Sequence, residues 1–294
     1  MISAHDREIL SRLPEWNPTG DIAAQRREWE ELATVYNQDL PAIGGFEKDI
    51  ELRAGLTADV AVPKGAGPHP VMIYLHGGGW AFGSPASFRK LGMQFAEAGY
   101  LTIVLDYRLA PEHPFPAALE DTMFAVEWAR DNARRWNGDG ARIAIGGDSS
   151  GGNLSLSALA ACVPELREVL RAAVLFYGVY DLAATAERTR ALAGLQTQLG
   201  SYVGGRTALF ADPRVSPLKA VAAGRLAPCF ILGAGEDAWC LADSLLLAQA
   251  LTAAGSPYEL HVMEGMPHGF MQMSTLEGCR AAMRLMWDFL ARNV

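Results

Sequence analysis

The stretch Ile145-Gly146-Gly147-Asp148-Ser149-Ser150-Gly151-Gly152 leaves one local pattern and enters another. Upstream, Arg142 to Asp148 is a near-continuous apolar run of strand length. Downstream, Gly152 to Cys162 is small and apolar and stops near Pro164. A strand passing straight into a helix through a turn of glycine and serine holds Ser149 at its tip, with glycines two positions to either side. The hydroxyl then projects into open space, and the positive end of the helix points at the same place. The string G-x-S-x-G alone is a weak warrant, because a helix-capping serine in a tight glycine turn has the same composition. Its placement between a buried strand and a small-residue helix makes Ser149 the candidate nucleophile. Ser150, the rival hydroxyl, lacks the flanking glycine spacing.

The alternation continues along the chain. Pro70 to His76, Leu101 to Tyr107, Ala172 to Tyr177 and Cys229 to Gly235 are further apolar runs, suited to parallel strands buried on both faces. Val60 to Val62 and Tyr258 to Met263 alternate more and fit flanking strands, and Phe46 to Leu52 fits a half-exposed edge. Helical periods separate them at Phe88 to Ala98, Ala117 to Asn132, Asp243 to Ala254 and Leu276 to Asn293. About eight strands alternating with helices give an α/β fold, a mostly parallel sheet flanked by helices. Residues 1–45, with an amphipathic stretch Ile22 to Tyr36 bounded by Pro18 and Pro41, do not fit the repeat. Nor do residues 181–227, which begin with a second such stretch, Ala183 to Leu199. Long insertions of this kind tend to cover a site, so 1–45 and 181–227 are expected to form a helical cap on a catalytic domain spanning 46–294.

Composition excludes several classes. Half of the 294 residues are hydrophobic and 20% are charged, the reverse of a disordered chain. The net charge of -8 and the lack of a basic stripe argue against nucleic acid. The four cysteines, Cys162, Cys229, Cys240 and Cys279, lie far apart with no CxxC, so neither a metal site nor a redox pair is expected. No run approaches the about 20 apolar residues of a membrane span. With charged residues near the N-terminus where a signal sequence would be apolar, the expected setting is cytoplasmic.

The glycine-rich run His76-Gly77-Gly78-Gly79-Trp80 follows the strand Val71 to Leu75. Attack on a carbonyl creates an oxyanion that needs backbone N–H groups already aimed at it, and consecutive glycines let the backbone approach closely. A dinucleotide or phosphate loop would need a different spacing or a Lys-Ser or Lys-Thr pair, and neither is present. The amides of Gly78, Gly79 and Ser150 are the expected oxyanion donors, with no cofactor.

Six histidines compete for the base. His5 lies in a terminus expected to be mobile, His69 and His113 in Pro-rich stretches, His76 beside the glycines as a brace, and His261 inside a strand. His268, in the loop Gly265 to Phe270 just after the last strand, is at the strand end where open α/β sheets carry their chemistry. The acid should follow the preceding strand, where Glu236 and Asp237 stand with Asp243 nearby; Asp237 is preferred and Glu236 is its substitute. The order serine, acid, histidine is that of α/β-hydrolases.

On these residues the chain resembles the hormone-sensitive-lipase-like esterases of the α/β-hydrolase fold, particularly their bacterial branch. The resemblance is carried by His76-Gly77-Gly78-Gly79-Trp80, Asp106-Tyr107-Arg108-Leu109-Ala110-Pro111-Glu112, Gly147-Asp148-Ser149-Ser150-Gly151-Gly152 and Pro267-His268-Gly269-Phe270, and it spans residue 45 to the end. It implies a serine carboxylesterase with Ser149 as nucleophile, Asp237 as acid and His268 as base, and Gly78, Gly79 and Ser150 as oxyanion donors. The sequence departs from the pattern in two places: Ser150 stands where alanine is common, and Glu236-Asp237-Ala238 where Asp-Pro-Leu is. Relatives often pair, so a homodimer is a further expectation. Trp80, Phe82, Tyr202 and Leu195 are candidate pocket walls, as are Trp29, Tyr36, Leu192 and Phe210. The expected substrates are small-molecule esters with short or medium acyl chains. An amidase or carbamate hydrolase and a lactonase would use the same triad. A non-catalytic ligand receptor on this fold is the reading from another class; plant gibberellin receptors resemble the family but lack its histidine, whereas this chain has His268.

Overall fold

The structure, a computed structural model, describes residues 2–12 and 21–294. In chain order come helices α1 (Ala4–Leu10) and α2 (Ile22–Tyr36), strands β1 (Gly45–Arg53), β2 (Leu56–Val62) and β3 (His69–Leu75), helix α3 (Arg89–Glu97) and strand β4 (Leu101–Asp106). Helix α4 (Ala117–Asn132), strand β5 (Gly138–Asp148), helices α5 (Ser150–Ala161) and α6 (Pro164–Val169) and strand β6 (Leu170–Phe176) follow. Then come helices α7 (Leu182–Arg188), α8 (Ala193–Tyr202) and α9 (Leu218–Val221), strand β7 (Cys229–Ala234), helix α10 (Leu241–Ala253), strand β8 (Tyr258–Met263) and helix α11 (Glu277–Asn293).

The strands form one eight-stranded sheet in the order β1-β2-β4-β3-β5-β6-β7-β8. Only β2 runs against the others; from β4 to β8 every neighbouring pair is parallel. Helices cover both faces, so Val71 to Leu75, Ile143 to Ile145 and Cys229 to Leu232 are fully buried, which is why these strands appear in sequence as unbroken apolar runs. Each such Leu, Ile or Phe contributes about 2 kcal/mol relative to leaving it in water. The chain crosses from β3 to β4 on one side and then to β5 on the other. This reversal opens a crevice at the carboxyl ends of β3 and β5, the two strands that carry the glycine run and Ser149.

Helices α2, α7 and α8 lie over that crevice. Asp21 caps α2, its carboxylate accepting from the Ala23 N–H at 2.9 Å. Arg26 then fastens the helix to the body: its Nε donates to the Ala81 carbonyl (2.7 Å), one Nη to the Ala110 carbonyl (3.1 Å), and both Nη atoms to Glu112 (2.8 and 2.7 Å). At the other end, Asn37 donates to the Ala86 carbonyl and accepts from the Lys90 N–H at the start of α3.

The structure departs from the sequence expectations at several points. Strands β2, β5 and β6 begin earlier than their apolar runs, because polar residues such as Thr57 and Asp139 pair in the ladder at the exposed ends. Ala183 to Leu199 is two helices, broken at 189–192, where Gln196 satisfies the loose ends by donating to Ala186 O (2.9 Å) and Thr189 Oγ1 (3.0 Å). His5 is not in a loose tail: it belongs to α1, and the neighbouring Asp6 carboxylate accepts from the Glu277 and Gly278 N–H groups (2.7 and 2.9 Å) at the start of α11. Pro18, expected to bound the first amphipathic stretch, lies outside the described residues.

Candidate active site

Ser149 sits at the junction of β5 and α5 with φ 54° and ψ -117°, a conformation that non-glycine residues rarely adopt and that stores on the order of 1–3 kcal/mol. The surroundings hold it there. Its N–H donates to the Phe176 carbonyl at 2.9 Å, tying the turn to the end of β6. The glycines of the G-x-S-x-G string are sterically required. A methyl group on Gly147 would stand 2.2 Å from the Leu75 carbonyl oxygen, and one on Gly151 only 1.9 Å. The turn therefore presses against the end of β3, beside the loop that begins at His76.

His268 lies in the loop after β8 and faces both partners. Its Nε2 is 3.0 Å from Ser149 Oγ and its Nδ1 is 2.6 Å from Asp237 Oδ2. With Nδ1 protonated and donating to the carboxylate, Nε2 is left to accept from the hydroxyl. Asp237 is buried at the end of β7, and its second oxygen accepts from the Trp239 and Cys240 N–H groups (2.9 and 3.0 Å), which fixes the carboxylate plane. Burial is the strongest single influence on Asp237 and opposes its charge. The His268 charge and hydrogen bond, with the two amides, outweigh it and hold the carboxyl below its ordinary range. Burial likewise pulls His268 down, but the Asp237 charge and hydrogen bond, joined by the Asp148 charge, leave it above its usual value. Tyr177 (centroids 4.9 Å apart) and Trp239 (5.4 Å) flank the imidazole.

The structure also places the other acids considered. Glu236 is exposed on the rim. Asp243 is buried and engaged elsewhere: it pairs with Arg188 and accepts from the Tyr180 and Asp181 N–H groups (2.6 and 2.9 Å), fastening the start of the 181–227 insertion to α10.

On the opposite wall, Gly78 and Gly79 have φ of 126° and 57°. Their N–H groups and that of Ser150 donate to no protein acceptor among the described residues. His76 is wholly buried under this loop, stacked on Tyr107 (4.3 Å, 17°), with its pKa lowered to about 4 by burial, so it is a neutral brace. A brace that sequence reasoning missed is Asp148, whose Oδ1 accepts from the Gly77 N–H (2.9 Å) and the Tyr74 hydroxyl (2.8 Å). Burial raises its pKa to about 6. Its place just before Ser149 is the only sequence signal it gives.

A cavity of about 560 Å³ opens onto Ser149, Asp237 and His268, within the range of small-molecule sites. Trp80, Phe82 and Leu195 line it, as do Trp29 and Tyr36 from α2. Tyr202 does not: it stacks behind Trp80 (4.3 Å, 9°), because the Trp80 ring fills the wall in front of it. Leu192 and Phe210 are also off the wall, the former exposed and the latter packed on the core. Gln198, Trp239 and Met273 line the cavity without having been singled out by the sequence. Asp237, Cys240 and His268 form the one grouping of metal-ligand side chains found among the described residues, but the acid and the histidine are already bonded to each other, and burial pushes the Cys240 thiol far above its usual pKa.

This arrangement supplies a hydroxyl within hydrogen-bond reach of an imidazole, a buried carboxylate bonded to the other side of that ring, and, among the described residues, glycine amides without a protein acceptor beside an apolar cavity. Comparison with known proteins finds the same architecture. A family described by the α/β hydrolase fold matches residues 72–272. The carboxylic ester hydrolase LipN of Mycobacterium tuberculosis is 34% identical over 238 residues, 75% of this chain and 62% of that protein. The carboxylesterase NlhH of the same organism is 33% identical over 223 residues, 70% of this chain and 67% of that protein. The match thus spans about two thirds of the length of these curated relatives or slightly less. Among solved structures, an esterase of Pyrobaculum calidifontis superposes with a TM-score of 0.86 at 27% identity, covering 99% of this chain and 98% of that one. A thermophilic carboxylesterase cloned from a metagenomic library superposes with 0.84 at 28% identity, covering 92% and 96%.

Proposed function

Because the chain belongs to the α/β-hydrolase-fold family, in its hormone-sensitive-lipase-like branch, we propose that it is a serine carboxylesterase working through an acyl-enzyme on Ser149. The observation that carries this reading is the unbroken series Ser149 Oγ, His268 Nε2, His268 Nδ1, Asp237 Oδ2, at 3.0 and 2.6 Å, opening on the cavity.

In the reaction, Ser149 Oγ attacks the ester carbonyl while its proton passes to His268 Nε2. Asp237 holds the imidazole in the required tautomer and stabilises the imidazolium. The carbonyl oxygen, now an anion, is received by the amides of Gly78, Gly79 and Ser150, each worth about 3 kcal/mol when preorganised. His268 gives its proton to the leaving alcohol as the C–O bond breaks. Water then repeats the sequence on the acyl-enzyme, releasing the acid and restoring Ser149.

Residues 1–45 and 181–227 act in this reading as the cap on a catalytic domain of residues 46–294. Support comes from Trp29 and Tyr36 of α2 and Leu195 of α8 on the cavity wall. The apolar, half-enclosed cavity suits esters of short or medium acyl chains. A cytoplasmic setting is supported by four cysteines that are all buried free thiols. A homodimer is supported by the exposed apolar side chains Leu245 and Leu246 of α10 and Val262 of β8. None of the helices in the described residues is long and apolar enough to cross a membrane.

The test is hydrolysis of p-nitrophenyl esters of increasing acyl length by the wild-type chain and by Ser149→Ala. Turnover that peaks at short chains and vanishes in the variant is expected. Turnover that persists in Ser149→Ala, that peaks at the longest acyl chains of the series, or that is exceeded by turnover of a long-chain triglyceride assayed alongside, would overturn the reading.

A further inference from the structure

Two glutamines that the mechanism does not use meet beside the oxyanion loop. Gln25 lies on α2 and Gln198 on α8, 173 positions apart, and they are 1% and 3% exposed. Gln198 Nε2 donates to Gln25 Oε1 at 2.6 Å. Burying an amide costs free energy unless it is hydrogen-bonded, and a leucine would pack two helices without that cost. The pair therefore asks for a reason beyond helix packing.

Its position supplies one. The Gln198 amide lies against the backbone of Gly79: a methyl group on Gly79 would stand 2.1 Å from Gln198 Oε1 and 2.6 Å from its Cδ. Gly79 is at φ 57°, and its peptide carries an N–H that the site needs aimed at the oxyanion. Gln25, for its part, is referenced to the same loop through the next residue, Arg26, which donates to the Ala81 carbonyl. The two cap segments thus meet at one loop, Gln198 against Gly79 and α2, through Arg26, on Ala81.

We propose that Gln25 and Gln198 are positioning residues, an amide latch between the two cap segments that pins the Gly79 peptide in its oxyanion-binding orientation. Docking of the cap then completes the hole as well as enclosing substrate. This rests on the reading of Ser149 as an acyl-transfer nucleophile. A donor held in place speeds the reaction only to the extent that it meets the transition state better than the ground state, so the latch should act on kcat and leave KM nearly alone.

The experiment compares the full-length chain with Gln25→Met, Gln198→Met and the double variant, using one short p-nitrophenyl ester, with Tm read alongside. A lost oxyanion donor costs about a hundredfold or more, so a loosened one should lower kcat about tenfold with KM changed by less than about threefold. Because the two amides act as one unit, the double variant should be no worse than the worse single variant. Affinity for a trifluoromethyl ketone, which forms an oxyanion on the enzyme, should fall in step with kcat/KM. Unchanged kcat, a change confined to KM, or losses that add in the double variant would overturn the latch. If a methionine variant does not fold, Gln198→Asn, whose shortened amide cannot reach Gln25, takes its place under the same criteria. A wild-type chain that hydrolyses no ester would instead bring down the Ser149 reading, and the latch with it.

Discussion

The Leu75 carbonyl oxygen occupies the space that a side chain on Gly151 would need, since a methyl group there would stand 1.9 Å from it. Helix α5 can begin where it does only because that position is bare. Gly151→Ala must push the helix off the end of β3 and carry Ser149 away from His268. Overpacking of this kind costs about 1–3 kcal/mol of stability. Activity should fall at least about a hundredfold, because a shift near 1 Å is enough to misplace the nucleophile. Chemical unfolding and steady-state kinetics on the same preparation check both halves.

The two acids at the end of β7 should separate cleanly. Asp237→Asn keeps the shape but lets the amide favour the wrong imidazole tautomer, and kcat should drop by about 10⁴. Glu236→Gln changes an exposed side chain and should stay within about threefold of the wild type. The reverse ranking would move the acid to Glu236.

Catalysis needs neutral His268, and Asp237 and Asp148 hold its pKa above the ordinary value near 6.5 against the effect of burial. Lowering the pH through that raised pKa protonates the base, so kcat/KM should fall about tenfold per pH unit on the acid side. Asp148→Asn keeps an oxygen for Gly77 and Tyr74 but removes a negative charge near the imidazole. The imidazolium is then less stabilised and the acid limb should move to lower pH. A limb that stays put or moves upward in a pH–rate profile contradicts this assignment.

Arg26 fastens α2 to the carbonyls of Ala81 and Ala110 and to Glu112. Arg26→Ala leaves those carbonyls without their charged donor, a loss of about 1–3 kcal/mol. With α2 loosened, Trp29 and Tyr36 no longer hold the cavity wall. A drop in kcat/KM of about tenfold is expected for short esters, measured at subsaturating substrate.

Much of the fold was legible because strands buried on both faces must be apolar throughout. Val71 to Leu75 and Cys229 to Leu232 announce themselves for that reason. The turn at Ser149 was legible because its glycines answer a steric demand that no residue with a side chain satisfies. Other features carry no local signal. The break between α7 and α8 depends on where Gln196 finds acceptors, and the retreat of Tyr202 behind Trp80 depends on which of two rings reaches the cavity first. Asp148 and Gln198 matter through residues distant in sequence, Gly77 and Gly79, so composition and spacing could not show them. The docking of α1 through Asp6 onto α11 likewise joins the two ends of the chain, a relation no window of sequence contains.

The most direct measurement is peptide mapping by mass spectrometry after brief exposure to a fluorophosphonate. One phosphonyl group on Ser149 in the wild-type chain is expected, with none in Ser149→Ala and far slower labelling in His268→Ala. Labelling on Ser150, or an adduct that survives in Ser149→Ala, would contradict the account.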